Sequence, residues 1–466
     1  MTLKKFFGDK AFYKKMFAVM IPILIQNVIT NFVSLLDNIM VGQIGTVEMA
    51  GVAIVNQLIF IFNLFIFGGL AGAGVLSAQY YGKNDVDGIR YSFRIKAFIA
   101  ACASLLFLII FGCFSEPLII AYLHEGNEGL DINAALVHAK SYMRIMLWQF
   151  LPFALTNLYA STLRETEKTL PPMVSGLIAV FVNLVLNYIL IFGKFGFPAL
   201  GVKGAAIATV VSRFAELAVV LLWTHFNIAK CPFIVSAYRS LKVPKKLIAA
   251  VVKLGFPLLC NEVLWAVGMA TLNRYYSVRG IEVVSAVNIA TMVSNLFFCT
   301  FLSMGTTVSI IVGMHLGAGN RERAIDENRK LLTFSVLLCA LVGAIMAIIA
   351  PLIPELYNTE KAVKDIATGL LLVCAAMMPV NAFTYSCYFA FRSGGKSWIT
   401  FAFDSGYVWA VGVPAAYLLT SFTSLSITAV YLTVNLLDLI KCIFGSILLK
   451  KGTWANNLVE NSKNDA

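Results

Sequence analysis

The sequence predicts an all-α polytopic membrane protein, with twelve transmembrane helices in two pseudo-symmetric sets of six. Three observations carry this. First, 59% of the 466 residues are hydrophobic and 13% charged, where a soluble domain carries about 25% charge. Second, apolar stretches recur along the whole chain, each long enough to cross a hydrocarbon core of ~30 Å. Third, the second half of the chain repeats landmarks of the first.

Span one, 16–41, opens with about 21 uncharged residues, Met16 to Leu36, before Asp37. That is too long for a signal-peptide core, so the span is read as retained. Spans two, 50–81, and eight, 285–316, are long enough to tilt or to overshoot the bilayer. The others are placed at 93–114, 139–163, 171–193, 204–226, 251–277, 331–350, 367–391, 398–420 and 427–449.

The segments between spans alternate in charge. Lys4, Lys5, Lys10, Lys14 and Lys15 precede span one, and Lys83, Arg90, Arg94 and Lys96 are assigned to the loop after span two. Lys230, Arg239, Lys242, Lys245 and Lys246 fill the middle connector, Arg321, Arg323, Arg329 and Lys330 the eighth loop, and Lys450 and Lys451 the tail. The third loop instead carries Glu116, Glu125, Glu128 and Asp131. Basic loops stay on the cytoplasmic side, which predicts a cell-membrane protein with both termini cytoplasmic. The net charge of +12 is therefore a topology signal and not a nucleic-acid surface. The chain divides into an N-terminal tail 1–15, a first lobe 16–226, a connector 227–250, a second lobe 251–449 and a tail 450–466.

Pro22 in AVMIPILIQN and Pro257 in KLGFPLLCNE stand 235 positions apart, as do Gly82 and Gly317. LRETEKT after span four is echoed by FRSGGKS after span ten, Arg164 and Lys168 falling on Arg392 and Lys396. Arg213 and Glu216 in span six correspond to Asp438 and Lys441 in span twelve, with the signs exchanged. Each is a self-neutralising pair on one helix face. A parallel repeat about an axis along the membrane normal is a transporter signature, with the site between the halves.

Span one carries Gln26, Asn27, Thr30, Asn31, Ser34, Asp37 and Asn38 at steps of three and four, a single helical face. In lipid such a face must meet protein or water. Asp37 lies roughly 31 Å from the inner end at 1.5 Å per residue, hence in the outer half. Asn183 and Asn187, one turn apart in span five, and Thr209 in span six reach matching depth. This oxygen-rich set suits a hard cation such as Na⁺, and the carboxylate alone suits a proton. Glu262, on the repeat position of Asn27, sits near the midplane of span seven, and Asp404 in the inner part of span eleven. Intramembrane acids are functional by default. Among nine cysteines there is no CxxC, and four scattered histidines form no cluster with them. With no nucleophile–base constellation either, the chain is not read as an enzyme and no cofactor is expected.

DNIMVG in span one, NLVLN in span five, GVKGAAIAT entering span six, PLLCNE in span seven and the paired LRETEKT and FRSGGKS loops resemble the multidrug and toxic compound extrusion (MATE) family. The likeness covers about residues 10–455. It implies two six-helix lobes around a central cavity open alternately to either side, acting as a monomer. It implies export of amphipathic, mostly cationic compounds against inward Na⁺ or H⁺. By resemblance, Asp37, Asn183, Asn187 and Thr209 match the first-lobe cation site, Pro22 the bend of span one, and Glu262 the second-lobe acid. A second-lobe aspartate of one branch falls on Asn381, which removes a charge there. Asn27 and Asp404 join Glu262 and Asn381 as candidates for substrate binding or second-lobe coupling. The superfamily also holds flippases of lipid-linked oligosaccharides. A pyrophosphate would call for several cavity-facing Arg or Lys residues, whereas the interior charges here are mainly acidic.

Overall fold

The computed structural model describes residues 5–123, 132–240, 242–357 and 359–460, with the backbone alone at 33–35. Lys4, Glu125, Glu128 and Asp131 of the charge pattern, and the side chain of Ser34, lie outside the described residues.

Among the described residues every regular element is helical. Spans one to three are α1 (Lys10–Gly42), α2 (Thr46–Gly82) and α3 (Val86–Leu123). Span four is broken by a 3-10 turn into α4 (Ile132–Met146) and α5 (Phe150–Glu165). Spans five to ten are α6 (Leu170–Phe192), α7 (Val202–Phe226), α8 (Lys245–Ser277), α9 (Ile281–Gly317), α10 (Arg321–Ile349) and α11 (Lys361–Ser393). Span eleven is α12 (Ser397–Phe401), two π-helical turns over Ala402–Gly412, then α13 (Val413–Phe422). Span twelve is α14 (Ile427–Leu436) and α15 (Asp438–Lys451). Ten described helical stretches are single spans by length and hydropathy; the two further passes are the broken ones, 132–165 and 397–422.

Several sequence placements change; the eighth-loop cations Arg321, Arg323, Arg329 and Lys330 stand on α10, and Glu116 on α3. α3 starts at Val86, so Arg90, Arg94 and Lys96 stand on a helix and not in a loop. Lys96 is fully buried and ion-paired with Glu165, its Nζ also donating to Ser161 Oγ at 3.1 Å and Thr162 Oγ1 at 3.2 Å. A buried ammonium persists only with such compensation. α3 also runs past its expected end at 114, through a kink at Phe114.

The described residues pack as two units. The N-unit comprises Ile25–Ser77 and Val86–Ala250. Its core gathers Phe62, Phe107 and Phe150, with ring centroids 4.5 to 5.3 Å from Phe62. Gly74 leaves the room that Glu165 fills, since a Cβ there would lie 2.5 Å from Glu165 Oε1. Arg94 pins the connector by donating to the carbonyls of Ser236, Ala237 and Lys242 at 2.8 to 3.0 Å.

The C-unit comprises Met1–Leu24, Ala78–Asp85 and Val251–Ala466. The first half of α1 thus packs here: Met16 joins a cluster with Val308 and Ile311 of α9, and Val19 and Ile23 pack on Ile310. α1 is one helix through Pro22, and the change of unit falls just beyond that residue, at Leu24–Ile25. The end of α2 lies against α9 at Gly82 and Gly317. A Cβ at either glycine would come within 1.9 Å of a carbonyl oxygen, of Met314 and Gln79 respectively. The repeat-related glycines therefore allow a backbone-to-backbone contact.

Residues 452–460, read from sequence as tail, are a docked strap. Trp454, Ala455 and Val459 are buried. Gln79 donates to the carbonyls of Ser393 and Asn456 at 3.0 and 3.1 Å and accepts from Leu458 N at 2.7 Å. Arg321 donates to the carbonyls of Ala455 and Gly452 at 3.1 and 2.8 Å, and Lys83 to that of Val459.

Candidate functional site

Each unit holds a cavity of its own. In the N-unit, α6 opens with two prolines in its first turn, where a missing N–H costs nothing. Its i,i+4 spacing sets Asn183 and Asn187 one above the other, and both are buried. Asn187 Nδ2 donates to Asp37 Oδ1 at 2.6 Å and stands 3.2 Å from Asn183 Oδ1. The oxygen and nitrogen of the Asn183 amide are alike in shape, so its orientation is decided by the partners each one offers. In one orientation, its nitrogen donates to Thr209 Oγ1 at 3.4 Å. Turned over, it donates to Asp37 Oδ1 and Oδ2 at 2.8 and 3.2 Å. The structure therefore brings Asp37, Asn183, Asn187 and Thr209 into one cluster.

These four line a cavity of about 530 Å³ that also holds Thr30, Asn31 and Asn38 of the span-one stripe. Arg213 and Glu216 line it too, paired at 2.7 Å, with the guanidinium 5.5 Å from the Phe153 ring centre. Asn56 and Tyr142 are members that sequence reasoning missed; Tyr142 donates to Asn56 Oδ1 at 3.4 Å. Their signal was weak, because Tyr142 sits on the broken fourth span and Asn56 in an otherwise apolar stretch with only Gln57 and Asn63 beside it. One acceptor, Asn187 Oδ1, is buried with no hydrogen-bond donor among the described residues. An oxygen set with an unserved carbonyl fits a hard cation, which binds through oxygen.

Asn27 lies in the same unit and is not among the lining residues of that cavity. Its carbonyl accepts from Asn31 at 3.0 Å.

In the C-unit, Glu262 and Asp404 end one hydrogen-bonded chain. Tyr388 donates to Glu262 at 3.2 Å. Asn261 donates to Tyr388 OH at 3.4 Å and to Asp404 Oδ2 at 2.9 Å. Ser405 N and Oγ in turn donate to Asn261 Oδ1 at 3.2 and 2.8 Å. The π-helical turns put Asp404 and Ser405 against α8, and Trp409 donates to the Leu264 carbonyl at 2.9 Å. Such turns recur at functional sites because an added residue re-aims the side chains around it. Asp404 and Asn381 both line a cavity of about 290 Å³, together with Asp438 and Lys441, which pair at 3.7 Å.

The model of the MatE family matches residues 22–189 and 257–418. A protein of Bacillus subtilis named probable multidrug resistance protein YoeA is 25% identical, covering 90% of this chain and 89% of that one. A Thermotoga maritima protein named probable multidrug resistance protein NorM is 22% identical over 96% of this chain and 94% of its own. Among solved structures, an outward-facing multidrug resistance MATE family transporter of the MOP superfamily superposes with a TM-score of 0.84. It shares 18% identity, with 96% of this chain and 98% of that one covered. The bent form of the Vibrio cholerae transporter VcmN gives 0.83 at 17% identity, covering 95% and 97%.

Proposed function

The chain belongs to the MATE family of membrane transporters, and on that premise we propose that it exports amphipathic, mostly cationic compounds in exchange for inward Na⁺ or H⁺. The protein is a transporter and not an enzyme. The observation that carries the coupling is the Asp37 cluster: one carboxylate, held at 2.6 Å by Asn187 and flanked by Asn183 and Thr209, in a polar cavity. Ionised, Asp37 takes the Asn187 N–H and the turned Asn183 amide. Protonated, or beside a bound cation, it no longer needs both donors, and the Asn183 amide can turn its oxygen toward the occupant, beside the unserved Asn187 Oδ1. The occupant therefore changes both the charge of α1 and its bonds to α6.

α1 is the element whose two halves pack in different units, with Pro22 at the change. The ring of Pro22 removes one backbone hydrogen bond, and a helix so weakened is the place where a change at Asp37 alters its course. The substrate meets the acidic groups of the second half, Glu262 and Asp404. The flippase reading is not favoured, since the charged groups lining both cavities hold no surplus of Arg or Lys. We place the protein in the cell membrane as a monomer with both termini cytoplasmic.

Efflux from proteoliposomes under separately imposed Na⁺ and pH gradients tests this. One of the two gradients should drive export of an organic cation. Export indifferent to both would refute the coupling.

A further inference from the structure

Three charged side chains stand among the described lining of the N-unit cavity: Asp37 of α1, and Arg213 and Glu216 of α7. The walls from α2 and α6 add amides, among them Asn56 and Asn183, and no charge; Tyr142 of α4 is the other titratable group. Two carboxylates against one guanidinium leave this lining one negative charge in excess. Which acid holds the guanidinium therefore decides what the other can bind.

Glu216 holds it. Arg213 Nη1 donates to Glu216 Oε2 at 2.7 Å, the two being neighbours on one face of α7 by their i,i+3 spacing. Glu216 is only 7% exposed, and a carboxylate so placed needs a cation beside it. Asp37 takes its short bond from the Asn187 amide instead. Arg213 is nevertheless the cation whose charge acts on Asp37. It also has a donor to spare, since its Nε is buried with no acceptor among the described residues. Thr209, of the Asp37 cluster, precedes Arg213 by one turn on the same helix face. Helical side chains lean toward the helix N-terminus, which carries the guanidinium toward that cluster. Outside the lining, Arg164 acts on Glu216 as well, but more strongly on its chain neighbour Glu165.

We propose that Glu216 is a positioning residue of the coupling site: by holding Arg213 it keeps the guanidinium off Asp37, which is left to bind one Na⁺ or H⁺. The proposal rests on the reading above that Asp37 is the coupling carboxylate, and it names what keeps that carboxylate available. A guanidinium on a neighbouring helix is a tethered competitor. Its local concentration is set by its side-chain bonds and not by the solution, and it never gives up its charge. Once Glu216 loses its charge, Asp37 is the remaining carboxylate of the lining, and Arg213 becomes its counter-ion in place of the coupling ion. The lining then sums to zero and has nothing left to attract a cation.

The test uses the full chain in proteoliposomes, with ethidium as a fluorescent organic cation and Na⁺ and pH gradients imposed separately. The quantity read is the concentration of driving ion that gives half-maximal efflux. Glu216→Gln, with Asp37 untouched, should raise it by about a hundredfold or more. Glu216→Asp keeps the charge and should stay within about threefold of the parent. Arg213→Gln combined with Glu216→Gln returns the lining to one negative charge and should recover to within about tenfold. Melting temperatures without the driving ion are measured alongside. A Glu216→Gln protein that loses stability but keeps the parental ion response would make the pair purely structural and overturn the proposal. A double mutant as unresponsive as Glu216→Gln would overturn it too, while leaving Asp37 as the coupling acid. A parent driven by neither gradient would sink the coupling reading itself.

Discussion

Replacing Asp37 with asparagine removes one negative charge and almost no volume. The structure indicates how unequal the two consequences are. The bond from Asn187 at 2.6 Å survives, because an asparagine oxygen still accepts it. A charge-assisted bond becomes a neutral one, a change of about 1 kcal/mol in stability. For a bound monovalent cation the loss is larger. A carboxylate about 4 Å from a cation contributes about 4 kcal/mol at an effective dielectric near 20, which is roughly a thousandfold in ion affinity. If Na⁺ couples, the parent should gain thermal stability as Na⁺ is raised, following the logarithm of ion concentration over dissociation constant. Asp37→Asn should show no such gain at the same concentrations. If H⁺ couples, neither protein responds to Na⁺, and the mutant alone loses efflux under a pH gradient. In both cases the mutant stays folded, inserted and inactive in gradient-driven export. Adding Asn187→Ala should cost little further export, since one site is not lost twice. Gradient-driven efflux at parental rates by Asp37→Asn, at equal expression, would refute the assignment.

Three further outcomes follow from the geometry. Glu262→Gln keeps an acceptor for Tyr388 and should fold normally yet impair resistance to cationic compounds; unchanged resistance at equal expression would count against a role for this acid. Cysteines at Tyr81 and Leu316 should crosslink, since both flank the close Gly82–Gly317 backbone approach inside the C-unit; a pair that fails to crosslink under oxidant would contradict that contact. Lys96→Met should destabilise the protein by about 3–5 kcal/mol by leaving Glu165 with no ammonium, and Glu165→Gln in the same chain should restore most of the melting temperature; an unshifted melt in the single mutant would show that the pair contributes nothing.

The passes were legible in the sequence because lipid permits few solutions: every backbone group must be satisfied inside a helix. Asn183 and Asn187 were legible for the same reason, since i,i+4 spacing fixes a shared face whatever the tertiary structure. That Asp37 meets them could only be guessed from depth, because the meeting depends on how α1 packs on α6. The π-helical turns around Asp404 were invisible, being set by the way Trp409 and Ser405 engage α8. Lys96 was misplaced because a lysine near a span end reads as a loop cation, and only its packing on Glu165 shows otherwise. Residues 452–460 read as solvated tail for a similar reason: their docking uses backbone carbonyls, which carry no sequence signature.

The discontinuity of the C-unit bears on how the protein is made. Residues up to Leu24 and from Ala78 to Asp85 emerge from the ribosome early, but their packing partners follow only after Val251, and the strap that bonds to Gln79 comes later still, at 452–460. For most of translation the apolar flank of α1 around Met16 and Val19 waits without its native neighbours, while the N-unit already has every segment it needs. Synthesis therefore makes every segment of the N-unit before the C-unit has residues 452–460 to bond with Gln79. A fusion that holds residues 452–460 away from Gln79 would be felt at the opposite end of the sequence, as a newly inserted first helix that never finds its seat.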